Sequence, residues 1–372
     1  MLRKLIYVSA ARPLSYSAHA VYVNHLLNAV ARSGIECELI APAEWGYAVA
    51  TRQTNFGVRL ISCFPPVRFR YYVMAVRLLL STKLRGGPAA LYVTHNGLFA
   101  VVLLLRGLPV LYDVHAAVAT RVGRVVTRWI AKHPRCVAIS VVSDGMRRHL
   151  AEAGVDHPHT ILRRNGVSVS AAARPSNGDC MEHSRPSRFV VAYSGNLEPA
   201  RGIDLLLKVA PLVANEVTFR IVGGSPAEVE RLRSQVQLAG LSERFELLGK
   251  VPHDQVADHL RTADALVAIY TARVRNVDVM CPMKLLEYFA LGLPIIAPDF
   301  STVRELVVDG SNGLLYRPGD ATQLAAAITR LQEDRSLRET LGQQGLASAG
   351  ELTWERNAQA LVCGANSALE RP

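Results

Sequence analysis

The stretch CPMKLLEYFALGLPIIAPD, Cys281 to Asp299, sets a lysine and a glutamate three residues apart, ahead of a Gly-Leu-Pro stop and an apolar run. Residues at i and i+3 share one face of a helix. Pro282 suits a helix start, where a missing N–H costs nothing. Lys284, in the first turn, then adds its charge to free N–H groups that already favour an anion. Glu287, one turn on, can accept two hydroxyls of a ribose. Phosphate plus a ribose diol describes a nucleotide. The plainer reading is a surface ion pair of little consequence.

A second stretch suits the same ligand. In YSGNLEPARGIDLLLKVA a strand ends at Ser194-Gly195, a short loop follows, and a helix opens near Gly202. Gly195 lets a ligand approach the backbone closely. Arg201, at the helix mouth, can form a bidentate pair with a phosphate. Gly223-Gly224 in IVGGSP is a strand-end turn. In the first half, His115 ends the apolar strand of LYDVHA, and Asp113 shares its strand face if the strand stays regular, where it can orient the imidazole or simply cap a neighbouring loop. Tyr16, Ser17 and His19 occupy the first loop after a strand. Taken singly, each has an equally ordinary role in a core or a loop. Cys180 and His183 are too sparse for a metal site, and neither GxxxxGK[ST] nor Asp-x-Asp occurs.

The elements that must position these residues follow from alternation. KLIYVSA, IECELIAP, VRLISC, ALYVTH, PVLYDVH and VAISVVS read as strands, and AHAVYVNHLLNAVARSG as a helix with a Gly stop. Basic helical stretches fall at 69–85 and 117–132. Residues 169–187, rich in Ser, Pro and Ala, read as a linker. The alternation then restarts with FVVAYSG, FRIVGG, FELLGKV, LVAIY and PIIAP as strands. Buried strands separated by helices predict parallel, doubly wound sheets. The expectation is α/β: two Rossmann-like domains facing a cleft, residues 1–168 and 188–352, with a terminal helix over 353–372 crossing back to the first.

The chain has 372 residues, half of them apolar, which suits two cores. Its six cysteines form no CxxC pair, so free thiols in a reducing compartment are expected. The start MLRKLIYVSA lacks a secretory pattern, and the apolar run Leu98–Leu105 is far shorter than the roughly 20 residues of a membrane span. Residues 1–170 carry 21 Lys and Arg against 7 Asp and Glu, whereas residues 171–372 carry 21 against 24. Basic charge confined to one half points to a partner surface. Apolar residues alternate with Arg and Lys in RFRYYVMAVRLLLSTKLRG and VATRVGRVVTRWIAKHPR, which suits helices lying on anionic lipid. The absence of RNA-binding and zinc-finger signatures counts against nucleic acid.

Four segments resemble family 4 of the retaining glycosyltransferases, which have the GT-B fold: YSGNLEPARGIDLLL, IVGG, MKLLEYFALGLPIIAPD and TWERNAQ. HLLNAVARSG and LYDVHA in the first half carry a weaker similarity. The resemblance implies a nucleotide-diphosphate sugar held by the second domain. It places the diphosphate on Arg201 and the ribose on Glu287. Backbone around Met283, Lys284 and Leu285 cradles phosphate, Gly195, Asn196 and Gly224 lie at the donor, and backbone near Val251 meets the base. His115 contacts the donor sugar, so His115, Arg201 and Lys284 are the expected catalytic residues, with Tyr16, Ser17 and Asp113 on the acceptor side. The reaction needs neither metal nor cofactor. The acceptor is expected in glycolipid or cell-surface polysaccharide synthesis, on the cytoplasmic face of a membrane.

Three positions depart from the family. Val279 stands where an earlier glutamate is usual, Asn196 where an arginine is usual, and RPLSYSAH where a Gly-Gly loop is usual. Two alternatives accompany this reading: a sugar-nucleotide epimerase of the same architecture, and a non-catalytic nucleotide-sugar-binding protein.

Overall fold

The computed structural model describes residues 1–10, 18–43, 54–62, 69–82, 84, 90–169 and 188–370. The chain forms two compact units: Met1–Gly166 with Trp354–Pro372, and Val167–Thr353. Tyr16 and Ser17, Cys180 and His183, and all of the 169–187 segment except Val169 lie outside the described residues.

The first unit is built on β1 (Lys4–Val8), β2 (Glu36–Ala43), β3 (Gly57–Ser62), β4 (Ala90–Thr94), β5 (Val110–Val114), β6 (Cys136–Val141) and β7 (Thr160–Leu162). They form one parallel sheet in the order β3-β2-β1-β4-β5-β6-β7. The second unit is built on β8 (Phe189–Ser194), β9 (Val217–Val222), β10 (Phe245–Gly249), β11 (Ala265–Val267), β12 (Ile295–Pro298) and β13 (Leu314–Tyr316). Its order is β10-β9-β8-β11-β12-β13, again parallel. Both sheets are therefore doubly wound, with the reversal of strand order beside β1 and beside β8. A ligand binds such a sheet outside the carboxyl ends of the strands, at that reversal.

The strands are central because they are apolar on both faces; all five residues of β5 are buried. In the second unit Tyr193, Phe219, Ile221, Val267 and Ile296 anchor the core. β7 and β13 were not legible as strands. Each is three residues long, too short to show a period, and it is strand pairing that defines them. The run Leu98–Leu105 lies within the Gly97–Leu105 helix, whose first N–H groups are capped by Asn96. Among the described residues no helix is long and apolar enough to cross a membrane.

The helix Trp354–Leu369 packs on the first unit. The His25 ring stacks on Trp354 with centroids 5.2 Å apart. Arg32 pairs with Glu355 at 2.5 Å, and the Leu2 N–H donates to Asn366 Oδ1 at 2.7 Å. Gly166 allows the contact: a Cβ there would come within 2.7 Å of Trp354.

Candidate functional site

In the second unit a cleft of about 430 Å³ opens at the carboxyl ends of the strands. Its wall is laid by three strand ends, Gly195 after β8, Gly223 and Gly224 after β9 and Val251 after β10, together with Lys284 and Glu287. Asn196, Lys250 and His253 also line it, as do the carboxylates Glu198 and Glu228.

The Met283–Ala290 helix aims Lys284 and Glu287. Tyr288, on its buried face, moors it to β8, because its hydroxyl accepts from the Ser194 N–H at 2.8 Å. Pro282 gives the helix start no side-chain cap, so the N–H groups of Met283 and Lys284 remain available to an anion. Lys284 Nζ stands 4.0 Å from the centre of the Tyr193 ring and 5.8 Å from that of Tyr270. Burial, with the nearby Arg201 charge, lowers the Lys284 ammonium to about 7, against a smaller pull from Glu287. Burial likewise raises the Glu287 carboxyl, opposed by His253 and Lys284.

Gly195 makes room for the lysine. It adopts φ +135°, and a Cβ there would approach Lys284 Nζ to 2.7 Å. The Tyr193 hydroxyl donates to Asn196 O at 2.8 Å and so fixes the loop that follows.

Arg201 differs from expectation in its local structure. It ends the 3-10 turn Pro199–Arg201 rather than opening a helix; Gly202 follows at φ +81°, and the helix begins only at Leu205. Thr271 Oγ1 donates to Ala200 O at 2.6 Å and holds this turn. The guanidinium lies 5.9 Å from the Tyr270 ring centre, so Arg201 and Lys284 meet at one tyrosine. Arg201 is not among the residues lining the cleft wall. The Leu285 side chain is fully buried, and its N–H donates to Pro282 O at 3.0 Å. Met283 is half-buried in the first turn.

His115 and Asp113 lie in the first unit. The His115 Nε2 and Asp113 Oδ2 atoms are 2.9 Å apart. Asp113, expected on the acceptor side, lies at the end of β5 with no surface of its own. It is wholly buried, and both carboxylate oxygens are taken. Tyr22 donates to it at 2.9 Å, Arg163 at 2.8 Å and Tyr7 at 3.3 Å, with Ser140 close beside. Burial alone would raise this carboxyl, but His115 and Arg163 hold it well below the usual carboxylate range. Asp113 therefore fixes His115 in place. Arg163, itself buried, also donates to Tyr22 at 2.7 Å and to Asn357 of the terminal helix. His19 and His95 have ring centroids 3.6 Å apart; burial and neighbouring imidazoles lower His19 to about 4 and hold His95 well below its ordinary value.

Sequence reasoning missed Tyr193, Tyr270 and His253 around the cleft, and Arg163 behind His115. Tyr193 and Tyr270 look like core strand residues. Arg163 in LRRNG carries no motif, and only burial reveals its role.

Two family models match the chain: "Glycosyltransferase Family 4" over residues 19–171 and "Glycosyl transferases group 1" over residues 188–334. A D-inositol 3-phosphate glycosyltransferase of Nocardia farcinica is 29% identical over 57% of this chain and 47% of its own length. A phosphatidyl-myo-inositol mannosyltransferase of Mycobacterium leprae is 30% identical over 60% and 57%. The chain spans about half the length of the curated relatives it matches. Anabaena HepE, solved in complex with UDP and glucose, superposes with a TM-score of 0.76 at 17% identity, covering 99% of this chain and 100% of the other. Sucrose-phosphate synthase from Thermosynechococcus elongatus gives 0.75 at 20% identity, covering 98% of each. These likenesses show the GT-B fold. With both sheets wound alike and the family models matching 19–171 and 188–334, the chain belongs to glycosyltransferase family 4.

Proposed function

We propose that the chain transfers a sugar from a nucleotide-diphosphate donor to an acceptor hydroxyl with retention of anomeric configuration. One observation carries the reading. Arg201 and Lys284, two cations without an ion pair among the described residues, converge on Tyr270 beside an uncapped helix start, with Glu287 one turn on. Two cations held this close, one of them lowered to about 7 by burial and by its neighbour, gain from an anion that comes between them. A diphosphate supplies that anion, and its ribose reaches Glu287.

In this reading the bond from the anomeric carbon to the β-phosphate oxygen breaks, and its electron pair stays on the phosphate. Negative charge grows there as the sugar becomes oxocarbenium-like, so the preorganised cations and amides act most strongly in the transition state. The acceptor oxygen attacks on the same face and passes its proton to the departing phosphate. His115, fixed by Asp113, supports the reaction as the family resemblance implies. Gly195, Asn196, Gly224, Met283 and Val251 serve the donor through backbone, while Tyr16 and Ser17 stay assigned to the acceptor.

The phosphatidyl-inositol name of one relative and the basic first unit support a lipid-linked acceptor at the cytoplasmic face of an anionic membrane. UDP is the first donor base to try, because HepE was solved with it. A non-catalytic binder has its own support: Val279 is buried, and Asn196 brings no charge.

Calorimetric titration with UDP-, GDP-, ADP- and TDP-sugars tests the donor, and donor turnover with lipid extracts separates transferase from binder. One donor is expected to bind at micromolar levels and to lose at least about tenfold in affinity in Arg201→Met. Failure of every donor at millimolar levels defeats the proposal.

A further inference from the structure

The layer of helices on one face of the first sheet contains Arg70–Leu80, Gly97–Leu105 and Arg121–Lys132, each touching the next. Its outer surface is unusual. The Arg70–Leu80 helix packs Met74, Ala75 and Leu78 inward. Yet Tyr72, Val76, Leu79 and Leu80 on its far side, with Phe69 just before it, are exposed, Leu80 by 72%. A helix apolar on both sides is ordinarily buried on both. The Arg121–Lys132 helix repeats the theme. Val122, Val125 and Trp129, at i, i+3 and i+7, form an exposed stripe, with Val122 exposed by 74%. Arg121, Arg124 and Lys132 run along its exposed edge.

Charge identifies what covers this layer. Residues 45–143 hold thirteen Lys and Arg and one acidic residue, Asp113, which is wholly buried. That span offers solvent no negative side chain. Arg106 holds the end of the first helix rigid, donating to the carbonyls of Leu78 and Leu79 at 3.0 Å each and to Ser81. The apolar side chains are therefore presented by a fixed helix. Aromatic residues, Phe69 and Tyr72 on one helix and Trp129 on another, are the types that settle at a bilayer interface.

We infer that these three helices are the face by which the chain lies on an anionic bilayer, with apolar side chains in the headgroup boundary and arginines on lipid phosphate. This deepens the membrane part of the proposed function and is independent of donor binding. The second unit supplies a control: Leu238, 90% exposed, lies outside the layer.

The experiment is co-sedimentation of the full chain with vesicles of phosphatidylcholine alone or doped with phosphatidylglycerol, at low and high salt. Binding to the doped vesicles is expected to be at least about tenfold tighter, and to fade with salt. A blue shift in emission that disappears in Trp129→Phe would accompany it. Leu80→Glu with Val125→Glu is expected to cut binding at least about tenfold and to leave donor affinity by calorimetry unchanged. Leu238→Glu leaves both unchanged. Undiminished vesicle binding by the double variant would refute this face while sparing the membrane reading. Equal binding to both lipid mixtures refutes the anionic partner. No vesicle binding at all refutes the membrane reading and leaves the donor site standing. Concentration-dependent self-association that the double variant abolishes would assign the layer to a second copy of the chain instead.

Discussion

In the first unit Arg163 is buried among Asp113, Tyr22, Ser140 and Asn357, every one an oxygen acceptor. In the second, Lys284 lies against tyrosine rings at the cleft wall and faces Arg201, another cation. The sheets share one strand order, so topology does not explain the contrast. The difference teaches how to tell a structural charge from a working one. A cation ringed by oxygen acceptors holds its neighbours in place, and one set beside another cation waits for a partner from outside.

Exchanging each cation for methionine breaks the comparison most forcefully. Arg163→Met strands the Asp113 carboxylate in the interior and is expected to destabilise the fold by about 3–5 kcal/mol in urea unfolding. Lys284→Met relieves a desolvated cation instead. It is expected to leave stability within about 1 kcal/mol, while weakening diphosphate binding by roughly 10- to 100-fold in calorimetry. Equal destabilisation by the two would erase the distinction.

Glu287→Gln sharpens it within the second unit. UDP affinity is expected to fall by about tenfold, through loss of charge-assisted bonds to the ribose, with inorganic pyrophosphate binding nearly unchanged. Gly195→Ala comes next. Its Cβ displaces the Lys284 ammonium, so pyrophosphate affinity drops several-fold and the backbone strain lowers stability by about 1 kcal/mol.

Proton linkage is the mildest test. The Lys284 ammonium titrates near 7 in the free protein, and a bound diphosphate favours its charged form. Affinity therefore declines as pH rises through and above 7, by at most about tenfold per unit. At pH 8 binding should take up protons, visible as a dependence of the calorimetric heat on buffer ionisation enthalpy. The unliganded fold shifts the other way. A lysine lowered below its unfolded value destabilises the fold while protonated, so stability gains as pH climbs from 7 toward 10.5. Lys284→Met should flatten both trends.

Much of this was legible in residues. Alternating apolar runs announced both sheets, and the i, i+3 spacing of Lys284 and Glu287 announced a shared helix face. Leu285, between them in sequence, shares no face with them, because adjacency along a helix is not adjacency in space. Its side chain turns to the core. Asp113 was legible as a group that could orient His115, but its full burial was not: a strand period gives the face of a sheet, not whether that face is covered. The turn around Arg201 escaped because its form depends on Thr271, seventy residues on. Arg163 was invisible, since a buried arginine and a solvated one are spelled alike.

The Trp354–Leu369 helix, which supplies Asn357 to Arg163, follows the whole second unit in the chain. On the ribosome, at roughly 5–20 residues per second, the first unit must wait on the order of ten to forty seconds for its last piece. During that interval the second unit can finish folding while the first stays unsealed at the groove where Trp354 will sit. Biogenesis thus runs back to front: the unit translated first is the one completed last.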